Sequence, residues 1–222
     1  MIKSWCQELS CFPQEVWISY AKSREPLTRL VSLEEYTSHF HAARKCGMDL
    51  AYKARQEWGA VSCLEMAEKL GVRVERLPMP EGEGMLTFAM FHEPDLIEVF
   101  TDNADATELL IRESGGTEFL GEVDVCEMLL AHELFHAMQL KYPDLYVNQK
   151  HIRLWKIGPF VRYSALLSLE EVAAMAFAET LLGLTHTPYV YDVLMLLPQA
   201  TMEARKLYDR LQQLNEEVSS CG

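Results

Sequence analysis

A chain of 222 residues, 49% hydrophobic and 24% charged, is long enough for one domain with a real core and has an ordinary globular composition. Its net charge of −13 argues against a nucleic-acid surface, which needs clustered cations to meet phosphates. No run approaches the roughly 18 consecutive apolar residues of a membrane span, and polar residues enter from Lys3 onward, too early for a signal peptide. The expected location is therefore the cytoplasm, and the six scattered cysteines, none in a Cys-x-x-Cys pair, fit a reducing compartment. Cys63 and Cys126 lie inside apolar helical patterns and read as buried thiols.

Residues 1–31 carry Pro13 and Pro26 and read as an irregular amino-terminal extension with one short helix. Ser32-Leu33-Glu34-Glu35 is a Ser-x-x-Glu capping box opening a helix to about Trp58, with Leu33, Tyr36, Phe40, Ala43 and Leu50 near helical spacing. A second box, Ser62-Cys63-Leu64-Glu65, starts a short helix that Gly71 closes. Val72 to Leu77 alternates like a half-buried strand, and 78–84 is a loop. Met85–Phe91 and Leu96–Thr101 read as two strands joined by His92-Glu93-Pro94-Asp95 in a hairpin. A short helix and a loop are expected over 103–116. A long helix then covers Glu122 to Leu140 and stops at Tyr142-Pro143. Residues 146–163 give no clear pattern. Helices follow at about Ser164–Leu182, capped by Gly183, and at about Pro198–Val218. Helices, a small mixed sheet and then helices predict an α+β fold, mainly helical.

The chemistry sits in His132-Glu133-Leu134-Phe135-His136, an HExxH motif in the middle of the most convincing helix. Four residues are a little over one turn, so both imidazoles leave one face about 6 Å apart along the axis and can share an ion. Glu133 is turned about 100° from His132, placed to reach a water on the metal without being a ligand. Zinc with three protein ligands keeps a position for water, lowers its pKa and polarises a carbonyl, and Glu133 is then the general base. Two histidines and a glutamate between Met128-Leu129-Leu130-Ala131 and Ala137-Met138-Gln139-Leu140 would be costly to bury without a partner.

For the third ligand, His39 and His41 point to different sides of a helix and His92 falls in a solvated turn. His151 and His186 stay open, with no local pattern favouring either. Glu171 is the stronger candidate: it shares a stripe with Ala174, Met175, Ala178 and Leu182, whose small residues would let its helix approach the HExxH helix. Ser168-Leu169-Glu170-Glu171 is a competing capping box in which Glu171 would cap its own helix, and Glu170 is the reserve ligand.

Ala131-His132-Glu133-Leu134-Phe135-His136, with the later Glu171-x-x-Ala174-x-x-Phe177-Ala178-x-x-Leu181-Leu182, resembles the ImmA/IrrE family of metallopeptidases over roughly residues 40–185. The entry Cys63-Leu64-Glu65-Met66-Ala67-Glu68-Lys69-Leu70-Gly71-Val72-Arg73-Val74 is similar to the family's helix-then-strand. The resemblance implies a zincin-like domain, whose expected bounds are 32–190; residues 191–222, outside the likeness, are expected to be a carboxy-terminal helical extension packed on the same domain. It implies His132, His136 and Glu171 as Zn2+ ligands, Glu133 as base, and a cytoplasmic peptidase whose protein substrate is a separate helix-turn-helix repressor. Phe135 departs from the small residue common there, and Gly183-Leu184-Thr185-His186-Thr187-Pro188 delays a proline.

Tyr163, His186, Tyr189 and Tyr191 are the candidates for stabilising charge on the substrate carbonyl, with packing the competing role for the tyrosines. Leu96–Thr101 is the expected sheet edge for an extended substrate. Two rival readings are a metal-containing binding or sensor module acting on a protein partner, and a metal-dependent hydrolase of a bond other than a peptide. The intact Glu133 favours an enzyme, since a structural zinc site has no use for a base.

Overall fold

A computed structural model describes residues 1–79 and 87–220. Two ten-residue helices, α1 (Ile2–Cys11) and α2 (Gln14–Ser23), precede the long α3 (Leu33–Trp58) and α4 (Cys63–Leu70). Strands β1 (Arg73–Leu77), β2 (Ala89–His92) and β3 (Leu96–Phe100) follow, then α5 (Thr101–Ser114), α6 (Thr117–Leu120), α7 (Val125–Lys141) and α8 (Tyr146–Gln149). A hairpin of β4 (His151–Ile157) and β5 (Phe160–Ala165) leads into α9 (Leu167–Leu182), α10 (Val190–Leu194) and α11 (Thr201–Ser220). Helices dominate around a three-stranded mixed sheet and the separate hairpin, so the α+β expectation holds. No described helix is long and apolar enough to cross a membrane.

Several elements differ from expectation, each for a local reason. Residues 1–31 are mostly helical: Pro13, with φ −66°, stands at the N-cap of α2, where a missing N–H costs nothing, so it separates two helices instead of preventing them. Trp5, Leu9, Val16, Trp17, Tyr20 and Ala21 from these helices are buried in the same cluster as the middle of the chain and Tyr208, Leu211 and Leu214 of α11. Over 103–116 the helix is longer than expected, running to Ser114 and closing on Gly115 at φ 76°. The unassigned 146–163 stretch is a short helix and most of a hairpin whose turn is at Gly158, φ 58°. Its strands are largely exposed on both faces, with Ile157 and Phe160 each 70% exposed, so the two-residue burial rhythm that reveals a strand is missing.

The sheet order is β1-β3-β2, with β1 parallel and β2 antiparallel to β3. The strand expected at the edge, Leu96–Phe100, is therefore the central one, paired on both sides with Ile97 and Val99 fully buried. The outer antiparallel strand is β2. The hairpin expectation holds for Phe91↔Ile97 and His92↔Leu96, whereas Met85 and most of the 78–84 loop lie outside the described residues.

At the centre lies α9, packed against α3 on one side and α7 on another. Ala173, Ala174, Ala176 and Ala178 bring neighbouring backbones close. On α3 the matching position is Gly47, where a Cβ would sit 2.0 Å from the carbonyl oxygen of Ala173. Backbone cannot yield there as a flexible side chain would. Gly47→Ala is expected to push the two helices apart and cost about 2–3 kcal/mol of unfolding free energy in denaturant titration, despite its better helix propensity. Equal or higher stability would show that the contact is loose.

Candidate metal centre

The helix bearing His132 and His136 is pinned at its start. Asp124 accepts from the Glu127 N–H at 2.7 Å as N-cap, and Glu108 accepts from the Val125 N–H at 2.7 Å. Glu127 in turn accepts from the Cys63 N–H at 2.7 Å, tying α7 to the first turn of α4. Further along, Leu130, Ala131, Leu134 and Phe135 are buried, and Phe135 packs against Phe177 of α9 with ring centroids 6.0 Å apart. Fixed on these sides, α7 turns its polar residues into one cavity.

The facing helix is not capped by its own sequence. Ser168 lies inside α9, after the N-cap Leu166, so the proposed Ser168–Glu171 capping box does not form. Glu25, 2% exposed, supplies the cap from a distant part of the chain: its carboxylate accepts from the Ser168 N–H at 3.0 Å and hydroxyl at 2.8 Å. An anion at a helix N-terminus is favoured by the aligned peptide dipoles. Glu171, one turn further on, is thereby left free.

His132, His136 and Glu171 come together with a ligand atom of each lying within 4.8 Å of the others, an arrangement that can hold a metal ion. The two Nε2 atoms are 3.3 Å apart, and the Glu171 oxygens stand 3.3 Å from His132 and 3.7 Å from His136. Ligands about 2.0–2.1 Å from a tetrahedral zinc ion are separated by roughly 3.3 Å, so the donor set fits in spacing as well as in chemistry. The three side chains are 12%, 19% and 47% exposed, which makes the Glu171 side the open one. Burial alone would lower the pKa of His132, but the hydrogen bond and charge of Glu171 overcome it and raise the imidazole's pKa. Burial would raise the pKa of Glu171, and its contacts with His132 and His136 hold it low instead. Both shifts express one ion pair among the donors.

Other residues shape this set. Gln139 lies 3.4 Å from Nδ1 of His136 and is itself anchored by donating to Asn148 at 2.8 Å, a connection that favours Nε2 as the metal-facing atom. Glu170 lines the cavity without joining the donor cluster, and burial raises its pKa against the Gln139 hydrogen bond. Glu133 is 9% exposed, borders the cavity and takes no hydrogen bond from any described residue. The cavity measures about 600 Å3, and β2 forms a wall of it through Ala89, Met90 and Phe91. Arg24 and Asp192, neither of which was singled out in the sequence, also line it. They form an ion pair of 2.6 Å, and Tyr20 donates to Asp192 at 2.8 Å. Burial pushes the Asp192 pKa up against both contacts.

The remaining candidates lie elsewhere. His39 contacts Tyr146 at 2.9 Å, His41 is exposed, and His151 is an exposed strand end. His92 is not simply solvated, since its ring meets Glu98 at 2.7 Å. Tyr163 is 57% exposed on the hairpin, and Tyr189 stacks on Trp17 at 5.9 Å. His186 is buried against Tyr191 at 3.2 Å, with Nδ1 lacking a partner among the described residues. None of these borders the cavity holding His132, though Tyr189 lines a separate recess with Arg24, Glu170 and Glu171. Comparison of the chain with family models, curated proteins and solved structures gave no significant match.

Two measurements follow from this geometry. Glu171→Ala should weaken zinc binding by at least about a hundredfold in chelator competition, and Glu170→Ala by no more than about tenfold; the reverse order would move the ligand role to Glu170. Burial lowers the pKa of His186 to about 4 from 6.5. Its unfolded form binds the extra proton between those values, so its contribution is complete above pH 6.5 and is lost as pH falls toward 4. That loss amounts to about 3 kcal/mol. Unfolding free energies of His186→Gln should therefore fall less steeply than those of the native protein over this window, and parallel profiles would refute the buried neutral state.

Proposed function

We propose that the protein is a zinc-dependent endopeptidase in which Glu133 is the general base. The observation that supports this most directly is the position of Glu133: beside three metal donors, bordering the same cavity, and with no protein partner for its carboxylate. Its carboxylate opens to that cavity, where a purely structural metal site would have no use for a base. The His2Glu donor set suits zinc, which when bound there would lower the pKa of water and polarise a substrate carbonyl. Glu133 takes a proton from the attacking water as its oxygen bonds to the carbonyl carbon. The same carboxyl then delivers that proton to the amine nitrogen as the C–N bond breaks. Residues of α7 and α9 hold these groups in place before substrate arrives.

A peptide substrate is favoured over a small molecule by the wall that β2 makes. As the outer strand of the sheet, β2 borders the cavity and offers backbone groups to an extended chain. The ImmA/IrrE resemblance extends the proposal to a regulatory protein substrate such as a helix-turn-helix repressor, and to a zincin-like classification of the fold. A cytoplasmic site of action agrees with the free thiols at Cys6, Cys11, Cys46, Cys63 and Cys126.

Glu133→Gln should retain zinc in elemental analysis and keep the native melting profile while peptide-library cleavage, read by mass spectrometry, falls by about a thousandfold. Undiminished cleavage would remove Glu133 from the mechanism. Zinc binding without cleavage by the native protein would favour a sensor or binding module.

A further inference from the structure

We infer that Arg24 donates hydrogen bonds to the carbonyl oxygen of the scissile bond as that oxygen gains negative charge, an assignment that rests on the peptidase reading. Arg24 borders the cavity that also contains His132, Glu133 and Glu171. It is the only lysine or arginine among the described residues lining that cavity, against five carboxylates: Glu93, Glu133, Glu170, Glu171 and Asp192. The 80–86 stretch, next to the lining residues Thr87 and Phe88, contains no cation in its sequence. The histidine and tyrosines that the sequence offered for this role all lie outside the cavity.

The guanidinium is held from one side. Its Nη1 donates to Asp192 at 2.6 Å and lies 3.1 Å from the Tyr20 hydroxyl, which donates to the same Asp192 oxygen at 2.8 Å. Nε and Nη2 donate to no described residue, and the side chain is 53% exposed. One arm of a rigid planar fork is thus anchored and the others are available to a ligand. The backbone supports the same placement. Arg24 is the C-cap residue of α2, and the next residue, Glu25, hooks onto Ser168 one turn before Glu171. Arg24 is therefore fixed beside the helix that carries a metal donor. A donor oriented before reaction stabilises developing charge without reorganising, and removal of one such donor typically lowers rates by about a hundredfold or more.

A solely structural role, neutralising the buried Asp192, is the competing explanation, and it makes a different prediction for lysine. Arg24→Lys keeps a cation for Asp192 and Tyr20 but lacks the free arms of the fork, and Arg24→Met removes both. The probes are a phosphinic peptide, whose charged oxygens imitate the reacting carbonyl, and a mercaptoacetyl peptide of the same sequence, which binds metal through sulfur. Binding is read from the visible bands of the cobalt-substituted protein, with metal content and melting temperature measured on each variant. Arg24→Lys should bind the phosphinic peptide at least about tenfold more weakly than the native protein and the thiol peptide within about twofold, at unchanged metal content. Arg24→Met should show the same selective loss if it folds; if it does not, the lysine variant decides alone. Native-like phosphinate binding by Arg24→Lys, or equal weakening of both probes, would overturn the assignment. A metal-loaded native protein that binds neither peptide would overturn the peptidase reading and this inference with it.

Discussion

The close approach of α9 to two other helices is the constraint on which the site depends. α9 meets α3 where Gly47 leaves no room for a Cβ, and it meets α7 where Phe135 and Phe177 interlock. Contact on both sides leaves α9 little freedom to slide or rotate, because dense interiors resist small displacements of backbone against backbone. Glu171 rides on α9, and the two histidines ride on α7. A metal tolerates ligand displacements of only a few tenths of an ångström, so the packing of the apolar faces sets the quality of the polar site. The alanines that give α9 its small radius are accordingly part of the metal centre without touching it.

Within that frame the donors hold one another in place. An imidazole buried beside another imidazole would ordinarily lose its proton, yet Glu171 reverses the effect at His132 by contact and charge. Metal binding requires neutral imidazole, so a divalent cation bound here would take the place of a proton in this cluster. The carboxylate that stabilises the protonated histidine is also one of the three groups that could hold a metal ion. Glu133 accepts no hydrogen bond from a described residue, and its charge adds to that of Glu171 in raising the His132 pKa.

Much of this was legible in the sequence, and the failures have physical causes. HExxH spacing is a property of one helix, so local periodicity placed His132 and His136 on one face and Glu133 about 100° around from His132. Glu171 could be nominated because its stripe is made of small residues, but choosing it over a capping role required knowing that Glu25 caps α9 from 143 positions away in the chain. No local pattern carries that information. The central position of β3 was likewise hidden: an edge strand and a central strand differ in their neighbours, and the parallel partner β1 precedes the β2–β3 hairpin in the chain. The hairpin over 151–165 was missed because most of its residues are exposed on both faces, with only Ile152 buried. Arg24 and Asp192 escaped notice because each is unremarkable in its own segment, and they become a pair only when α2 and α10 meet.

That meeting changes the standing of the chain's first segment. α1 and α2 contribute Trp5 and Trp17 to the core, Trp5 stacks on Tyr208 of α11 at 4.3 Å, and Trp17 stacks on Tyr189 just before α10. These aromatic contacts lock the two ends together beside the cavity, and two successive residues at the end of α2 convert that packing into site geometry. Glu25 faces inward and terminates α9; Arg24 faces the cavity and is braced by Asp192. A largely buried carboxylate such as Asp192, 15% exposed, is costly unless a cation meets it, and a cation among five carboxylates needs a reason to hold one orientation. Each supplies what the other lacks. The same ion pair therefore joins the amino-terminal helices to α10 and leaves the unused side of a guanidinium on the cavity that holds His132, His136 and Glu171.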